Sequence, residues 1–354
     1  MNEHRVQTAY LSNALEPLRP WLEDPTIVEI IVNQPGEVWI EVLGATAMRR
    51  HDVPSIDSFA IQHLAERVAA FTNQSVNSEN PLLSGALPSG ERFQAVLPPA
   101  TTKGGAFAIR KQAIKEMRLD DYRKLGSFDK VSTASLDALT DDEIKLCECL
   151  DAGDIEAFIR RAVASRISML LSGGTSSGKT TFLNAILKEV GPDERILTIE
   201  DTRELNPVQQ NFLPLVASKG DQSEARVTIE SLLQAAMRLR PDRLFLGEIR
   251  GVEAYSFLRA INTGHPGSIT TVHADSPQGA FEQIGLMVLQ AGVGLKKAEV
   301  IDYIKLVLPI VIQQSRIGGW RGTTHVHYSK MEQWAALKKN GVAQRQNHVT
   351  KRRR

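Results

Sequence analysis

Residues Gly173 to Thr180 read GGTSSGKT, with the apolar run ISMLL (Ile167 to Leu171) before them and the helix-like TFLNAILKEV (Thr181 to Val190) after. Two glycines, a lysine and a hydroxyl at these offsets, set between a strand and a helix, constrain the segment to a phosphate-binding P-loop. The physical reason is local. Gly173 and Gly178 admit backbone torsions that turn successive amides around an anion, and the following helix aims the positive end of its dipole there. Gly174, Thr175, Ser176 and Ser177 complete the cradle. Lys179 is placed to reach the β- and γ-phosphates of a nucleoside triphosphate, and the Thr180 hydroxyl to hold Mg2+. Thr181 offers a second hydroxyl, suited to a phosphate contact or to helix packing.

The loop sits in a stretch where apolar runs alternate with helical patterns, the mark of a parallel α/β sheet. Strands are expected at Ile167 to Ser172, Arg195 to Glu200, Leu244 to Ile249, Ser268 to His273 and Lys305 to Ile312. Helices are expected at Thr180 to Val190, Thr228 to Arg240, Val252 to Asn262 and Pro277 to Gln290. Short Val, Ile and Leu runs suit strands buried on both faces. Ligands of such sheets bind at the carboxyl ends of the strands. The P-loop, Glu200, Asp201, Glu248 and His273 all fall there, which points to a single active site.

The first hundred or so residues have a different texture. Glu37 to Val42 (EVWIEV) alternates in period two after a Pro35-Gly36 turn, and Ser58 to Phe71 carries apolar residues at helical spacing. Arg92 to Leu97 and Ala106 to Arg110 read as two further strands, giving a small α+β domain with an antiparallel sheet. The expected organisation is an N-terminal α+β domain at 1–111, a linker with short helices at 112–150, a P-loop domain at 151–330 and a tail at 331–354. Within the linker, Thr140 to Glu143 (TDDE) forms a capping box that starts a helix through Leu150.

Composition narrows the function classes. A length of 354 residues accommodates two domains, and a net charge of +1 gives no global field for nucleic acid or an anionic membrane. The basic run Lys351 to Arg354 reads as a solvated terminus. Cys147 and Cys149 are the only cysteines and have no histidine at zinc-site spacing, so free thiols in a reducing cytosol are expected. The start MNEHRVQTAY lacks the pattern of a secretory signal. The most apolar run, Leu306 to Ile312, is too short to span a bilayer, so any membrane association is expected to be peripheral.

Several residues carry the expected chemistry. Glu248 ends the run LFLGE, where a P-loop enzyme needs a carboxylate for the Mg2+ shell; the usual Asp place is Gly247 here. The acidic segment TIEDTREL supplies Glu200, Asp201 and Glu204, one of which is to orient the attacking water, and spacing alone does not rank them. His265 and His273, in TGHPGSITTVHADSP, are suited to sensing the γ-phosphate. Candidate arginines for the developing charge are Arg238, Arg240 and Arg243 in RLRPDR, with Arg92 and Arg110 from the first domain.

Taken in order, PLRPWLEDPTIVEIIVNQPGEVWIE, SGERFQAVLPPA, GGTSSGKTT, TIEDTREL, RLRPDRLFLGEIRGVEAY and TGHPGSITTVHADSP resemble the hexameric traffic ATPases of type IV secretion and conjugation systems (VirB-type). The resemblance covers roughly residues 15 to 330 and implies a RecA-like C-terminal domain. It implies Glu204 as the water-polarising acid supported by Glu200 and Asp201, Glu248 as the second-motif carboxylate and His273 as the signature of a histidine box. It also implies an N-terminal domain that covers the nucleotide, with Arg92 in GERFQ and Arg110 in AIRK reaching the γ-phosphate, and a role for Arg240. No cysteine follows Cys149, which disfavours the pilus and type II branch with its tetracysteine zinc subdomain.

The implied partners are further copies of the chain in a hexamer, inner-membrane components of the secretion machine and coupling ATPases. The implied location is the cytoplasmic face of the inner membrane. A RecA-like helicase is the alternative motor, but the neutral charge and 6% aromatic content give it little support. A nucleotide-dependent assembly scaffold is the second alternative, against which the intact lysine and acids speak.

Overall fold

The computed structural model describes residues 3–111, 118–133, 135, 138–218 and 224–339. Six strands build the first sheet: β1 (Ile27–Val32), β2 (Glu37–Val42), β3 (Arg49–Asp52), β4 (Leu82–Ala86), β5 (Arg92–Val96) and β6 (Ala106–Arg110). Their order is β3-β2-β1-β6-β5-β4, antiparallel throughout. The Ser58–Phe71 helix covers one face, with Asp57 accepting from the Ala60 amide at 2.7 Å as its N-cap. Its buried stripe of Ile61, Leu64, Ala65 and Val68 joins Ile30, Val32, Phe93 and Phe107 in one apolar cluster.

Seven strands build the second sheet: β7 (Met169–Gly173), β8 (Ile196–Glu200), β9 (Phe212–Val216), β10 (Arg243–Leu246), β11 (Ile269–Val272), β12 (Ile310–Ile317) and β13 (Trp320–Tyr328). The order is β13-β12-β7-β11-β10-β8-β9; every pair is parallel except β12 with β13. Both faces are covered, as the continuous apolar runs require. Leu170, Leu197, Leu244, Leu246 and Val311 point into one core, while Met169, Leu171, Ile196, Phe245 and Ile269 point into the other. This is the expected α/β class with an antiparallel α+β unit before it.

The structure redraws three stretches. Lys305 to Val307 is not strand: Lys297–Val307 is a helix, burying Val300, Ile304 and Val307 at helical spacing. Pro309 follows that helix, and β12 starts only at Ile310. β9 went unread because Pro214 interrupts its apolar run. Proline is tolerated there since β9 is the edge strand of this sheet. β13 returns from β12 through a two-residue Gly318-Gly319 turn, with Ile317 paired to Trp320.

In the linker, Thr140 does make the capping box with Glu143, and the helix runs Asp141–Asp151. Residues 331–339 are helical, with Trp334 Nε1 donating to Asp151 at 2.6 Å. The basic run Lys351 to Arg354 lies outside the described residues. No helix among the described residues is long and apolar enough to cross a membrane.

The two sheets share a core. Ile31, Trp39, Val96, Ala100 and Ala106 pack in the same cluster as Leu213, Leu215 and Leu232. The Val216 amide at the end of β9 donates to Ala100 O at 2.8 Å, and Lys103 Nζ donates to Phe212 O at 2.7 Å. At the centre lies the fully buried Arg195. Its guanidinium donates to Asn33 Oδ1 at 2.5 Å, Asn211 Oδ1 at 2.6 Å and Leu239 O at 2.9 Å, and Asn33 also donates to Asn211. Burial pulls the guanidinium down to about 9, so these acceptors are what make a charge tolerable there. Asn33→Ala is therefore expected to lower unfolding stability by about 1–3 kcal/mol, the cost of stranding a buried donor. A urea midpoint equal to that of the unaltered protein would show that the network contributes nothing.

Candidate nucleotide site

β7 ends at Gly173, and the Lys179–Leu187 helix begins one turn of loop later with Gly178 as its N-cap at φ +95°. Only glycine takes that torsion without strain. Gly173 is required for a second reason: a Cβ there would meet the Gln314 carbonyl of β12 and the Ser177 hydroxyl. The loop is thus pressed against the neighbouring strand and opens toward the carboxyl edge of the sheet.

An open cleft of about 600 Å3 lies at this edge. Thr175 to Thr181 line it from the loop, Glu200, Asp201 and Glu204 from the end of β8, Glu248 and Arg250 from beyond β10, and His273 from beyond β11. Lys179 is only 8% exposed. Its ammonium folds back to donate to Gly173 O at 2.7 Å and Gly174 O at 3.2 Å, and lies 3.3 Å from His273 Nδ1. Burial lowers its pKa, partly opposed by the Glu248 charge. A triphosphate would reverse that loss by supplying the anion the ammonium lacks.

The remaining groups form a chain of charged contacts. His273 Nε2 lies 3.1 Å from Glu248 Oε1, Glu248 Oε2 accepts from Arg250 at 2.9 Å, and Arg250 donates to Asp201 Oδ2 at 2.7 Å. These carboxylates raise the Arg250 pKa, the hydrogen bond it donates to Glu248 foremost. Glu200 is buried, and its Oε1 accepts from the Glu204 and Leu205 amides at 2.8 and 2.9 Å. Burial raises its pKa against the pull of those amides. Its side chain also explains Gly247: a Cβ there would stand 3.2 Å from Glu200 Cγ. Glu200 therefore anchors the loop that carries Glu204, whose own carboxylate is exposed to the cleft.

Magnesium fits this donor set through Thr180 and Glu248. The described residues hold no group of three or more His, Cys, Asp or Glu suited to a metal ion, but Mg2+ characteristically takes one or two protein ligands plus phosphate oxygens and water.

Arg92, Arg110 and Arg240 do not join the P-loop, and neither does His265. They line a second cavity of about 720 Å3 with Glu29, Arg166 and Arg238. The reason is strand polarity: Arg240 and Pro241 precede β10, whereas Glu248 follows it, so they occupy opposite edges of the sheet. Arg92 and Arg110 are cross-strand partners on β5 and β6. Their end of the first sheet faces Arg240, which bonds Glu41 at 2.5 Å and Asp242 at 2.6 Å. His265 Nδ1 lies 3.0 Å from Pro241 O. Arg243 is structural, with a fork onto Glu194 at 2.7 and 2.6 Å and a bond to Val163 O.

Four cleft residues escaped the sequence reading, Thr202, Arg250, Thr271 and Arg321, of which the two arginines are charged. Arg250 sits two positions after Glu248 in GEIRG and was readable from that spacing. Arg321 comes from β13 and donates from Nε to Ser176 O at 3.0 Å; nothing local to its segment signals this.

A family model described as type II/IV secretion system protein matches residues 149–354. The type IV secretion system protein VirB11 of Bartonella henselae is 35% identical over 338 residues, covering 92% of this chain and 94% of the relative. VirB11 of Brucella suis is 41% identical over 280 residues, covering 78% of this chain and 77% of the relative. The crystal structure of the VirB11 ATPase from the Brucella suis type IV secretion system, in complex with sulphate, matches with a TM-score of 0.85 at 37% identity. That match covers 91% of this chain and 98% of the other.

The second cavity yields a pH prediction. Glu29 is 4% exposed, with Oε2 buried and unpartnered and Oε1 3.6 Å from Arg110. Burial pushes it up to about 7, against the opposing pull of Arg110. A carboxyl raised on folding contributes stability that is fully present below its unfolded pKa and is lost as pH rises through about 7. Glu29→Gln is thus expected to gain on the unaltered protein by roughly 2–4 kcal/mol between pH 4 and pH 8, measured by urea unfolding at both. A gap that does not change with pH would refute the assignment.

Proposed function

The chain belongs to the VirB11 family of type IV secretion ATPases, and on that premise we propose that it is the ring-forming motor whose ATP hydrolysis powers conjugative pilus assembly or the transfer of DNA or protein substrates. The observation that carries the reading is the convergence of the P-loop, Glu200, Asp201, Glu204, Glu248 and His273 on one cleft. A phosphate-binding loop alone fits any nucleotide binder. The acids beside it fit hydrolysis.

The roles follow from the contacts. Lys179 leaves its two loop carbonyls for the β- and γ-phosphates, and the amides of Gly174 to Gly178 surround them. Thr180 and Glu248 would hold Mg2+, which when bound would supply charge neutralisation to the phosphates. Glu204, exposed at the cleft and set by Glu200, orients the attacking water. His273 bridges Lys179 and Glu248 and so registers the γ-phosphate through either partner. Asp201 acts through Arg250.

Arg92 and Arg110 require a second copy of the chain. Within one chain the N-terminal unit is fixed to the β9 edge, and these arginines open away from the P-loop. We therefore assign them, with Arg240, to the γ-phosphate of a neighbouring subunit, whose P-loop they would close. That arrangement makes the enzyme a ring, taken as a hexamer from the family resemblance, with 112–150 linking the N-terminal unit to the 151–330 motor unit. Inner-membrane components of the secretion machine and its coupling ATPases are the partners expected at the cytoplasmic face, where the chain would sit peripherally.

Lys179→Ala is expected to abolish ATP turnover. Glu204→Gln should lower kcat by about 10²- to 10⁴-fold, while Glu200→Gln, still able to accept both amides, should retain more activity. The reverse ranking would exchange the two roles. The trans assignment has its own test, mixing two inactive variants, Lys179→Ala and Arg110→Ala. Random assortment restores an intact P-loop opposite an intact Arg110 at about a quarter of the interfaces, so turnover should reappear; a mixture as inactive as its components would sink the idea.

A further inference from the structure

We propose that Arg321, on β13, is a positioning residue of the P-loop: it fixes the Ser176 carbonyl and so holds the loop in its anion-binding shape. Three features support this. Ser176 has a positive φ of +58°, a left-handed conformation that is uncommon for a residue with a side chain and persists where surrounding structure over-determines it. Arg321 Nε reaches across from β13 and donates to the carbonyl of that residue at 3.0 Å.

The second feature is the way β13 delivers the arginine. The β12–β13 ladder slips by one residue between Gln313 and Gln314, so that Gln313 pairs with His325 but Gln314 pairs with Thr323. A one-residue slip turns every later side chain to the other face. The outer half of β13 is thereby re-aimed, and Arg321 lines the P-loop cleft.

The third feature is where the slip lies. Gln314 is the residue whose carbonyl Gly173 approaches too closely for any Cβ, and it pairs with Gly173 across the β7–β12 ladder. The hairpin thus grips the loop at both ends, by backbone at Gly173 and by guanidinium at Ser176. Releasing the second grip leaves Ser176 free to relax to a commoner torsion, which turns the adjacent amides away from the phosphates.

The proposal rests on the ATP-binding reading, and the test separates the two. ADP and ATP affinities, with kcat and KM for ATP, are measured for the full chain, Arg321→Ala, Arg321→Lys and the control Arg316→Ala, from the same hairpin. If the unaltered chain binds neither nucleotide, the ATP reading itself fails. If it binds both, Arg321→Ala should weaken ADP and ATP alike by about tenfold, the typical value of a charged donor's bond, and raise KM by a similar factor with kcat changed less than twofold. Arg321→Lys should recover part of the loss, and Arg316→Ala should show none. Unchanged ADP and ATP affinities in Arg321→Ala would overturn the proposal. So would a loss confined to ATP, which marks a direct γ-phosphate contact, or a loss matched by a lowered melting temperature of the nucleotide-free protein, which marks a general structural role.

Discussion

A buried ammonium without an anion governs the catalytic edge of this protein. Lys179 is drawn into the P-loop by the helix it begins, and its partners there are two carbonyls and an imidazole. Such a group is poorly solvated and not neutralised, so the cleft is held ready for negative charge. The neighbouring contacts follow from the same need. His273 ties the lysine to Glu248, Glu248 ties to Arg250, and Arg250 ties to Asp201. An arriving triphosphate competes for the first link of that series, and Asp201 at its far end shares the cleft with Glu204. Charge recognition and hydrolysis are in this way parts of a single balance of ions.

Much of this was legible in the sequence because it is local. The P-loop, the acidic segment, Glu248 and His273 each follow a strand directly, and parallel pairing sends all such residues to one edge. Gly247 at the usual Asp place has no reason within its own segment. It makes sense once Glu200 is seen to pass over it from the adjacent strand. β9 was hidden by Pro214, a residue that argues against a central strand and says little about an edge one. β13 was announced by Gly318-Gly319 between two β-rich runs, a hairpin signal that was available and unread.

The arginines show where local reading stops. Motif resemblance pairs Arg92 and Arg110 with a γ-phosphate, but it carries no statement about which chain's phosphate. Part of the answer was nonetheless in the order of residues. Arg240 comes before β10 and Glu248 after it, so one chain cannot present both at the same edge. Arg321 lies at the other limit: its position depends on a slipped ladder, and no pattern within Trp320 to Tyr328 encodes the carbonyl it reaches.

The buried Arg195 has a mechanical consequence. Its guanidinium is shared between Asn33, just after β1, and Asn211 and Leu239, which precede β9 and β10, beneath a continuous apolar layer. Separating the two units would expose that layer and strand a cation at the same moment. The seam inside the chain is therefore held by an apolar layer and a buried charge together. The two units of one chain are in this way held as a single piece.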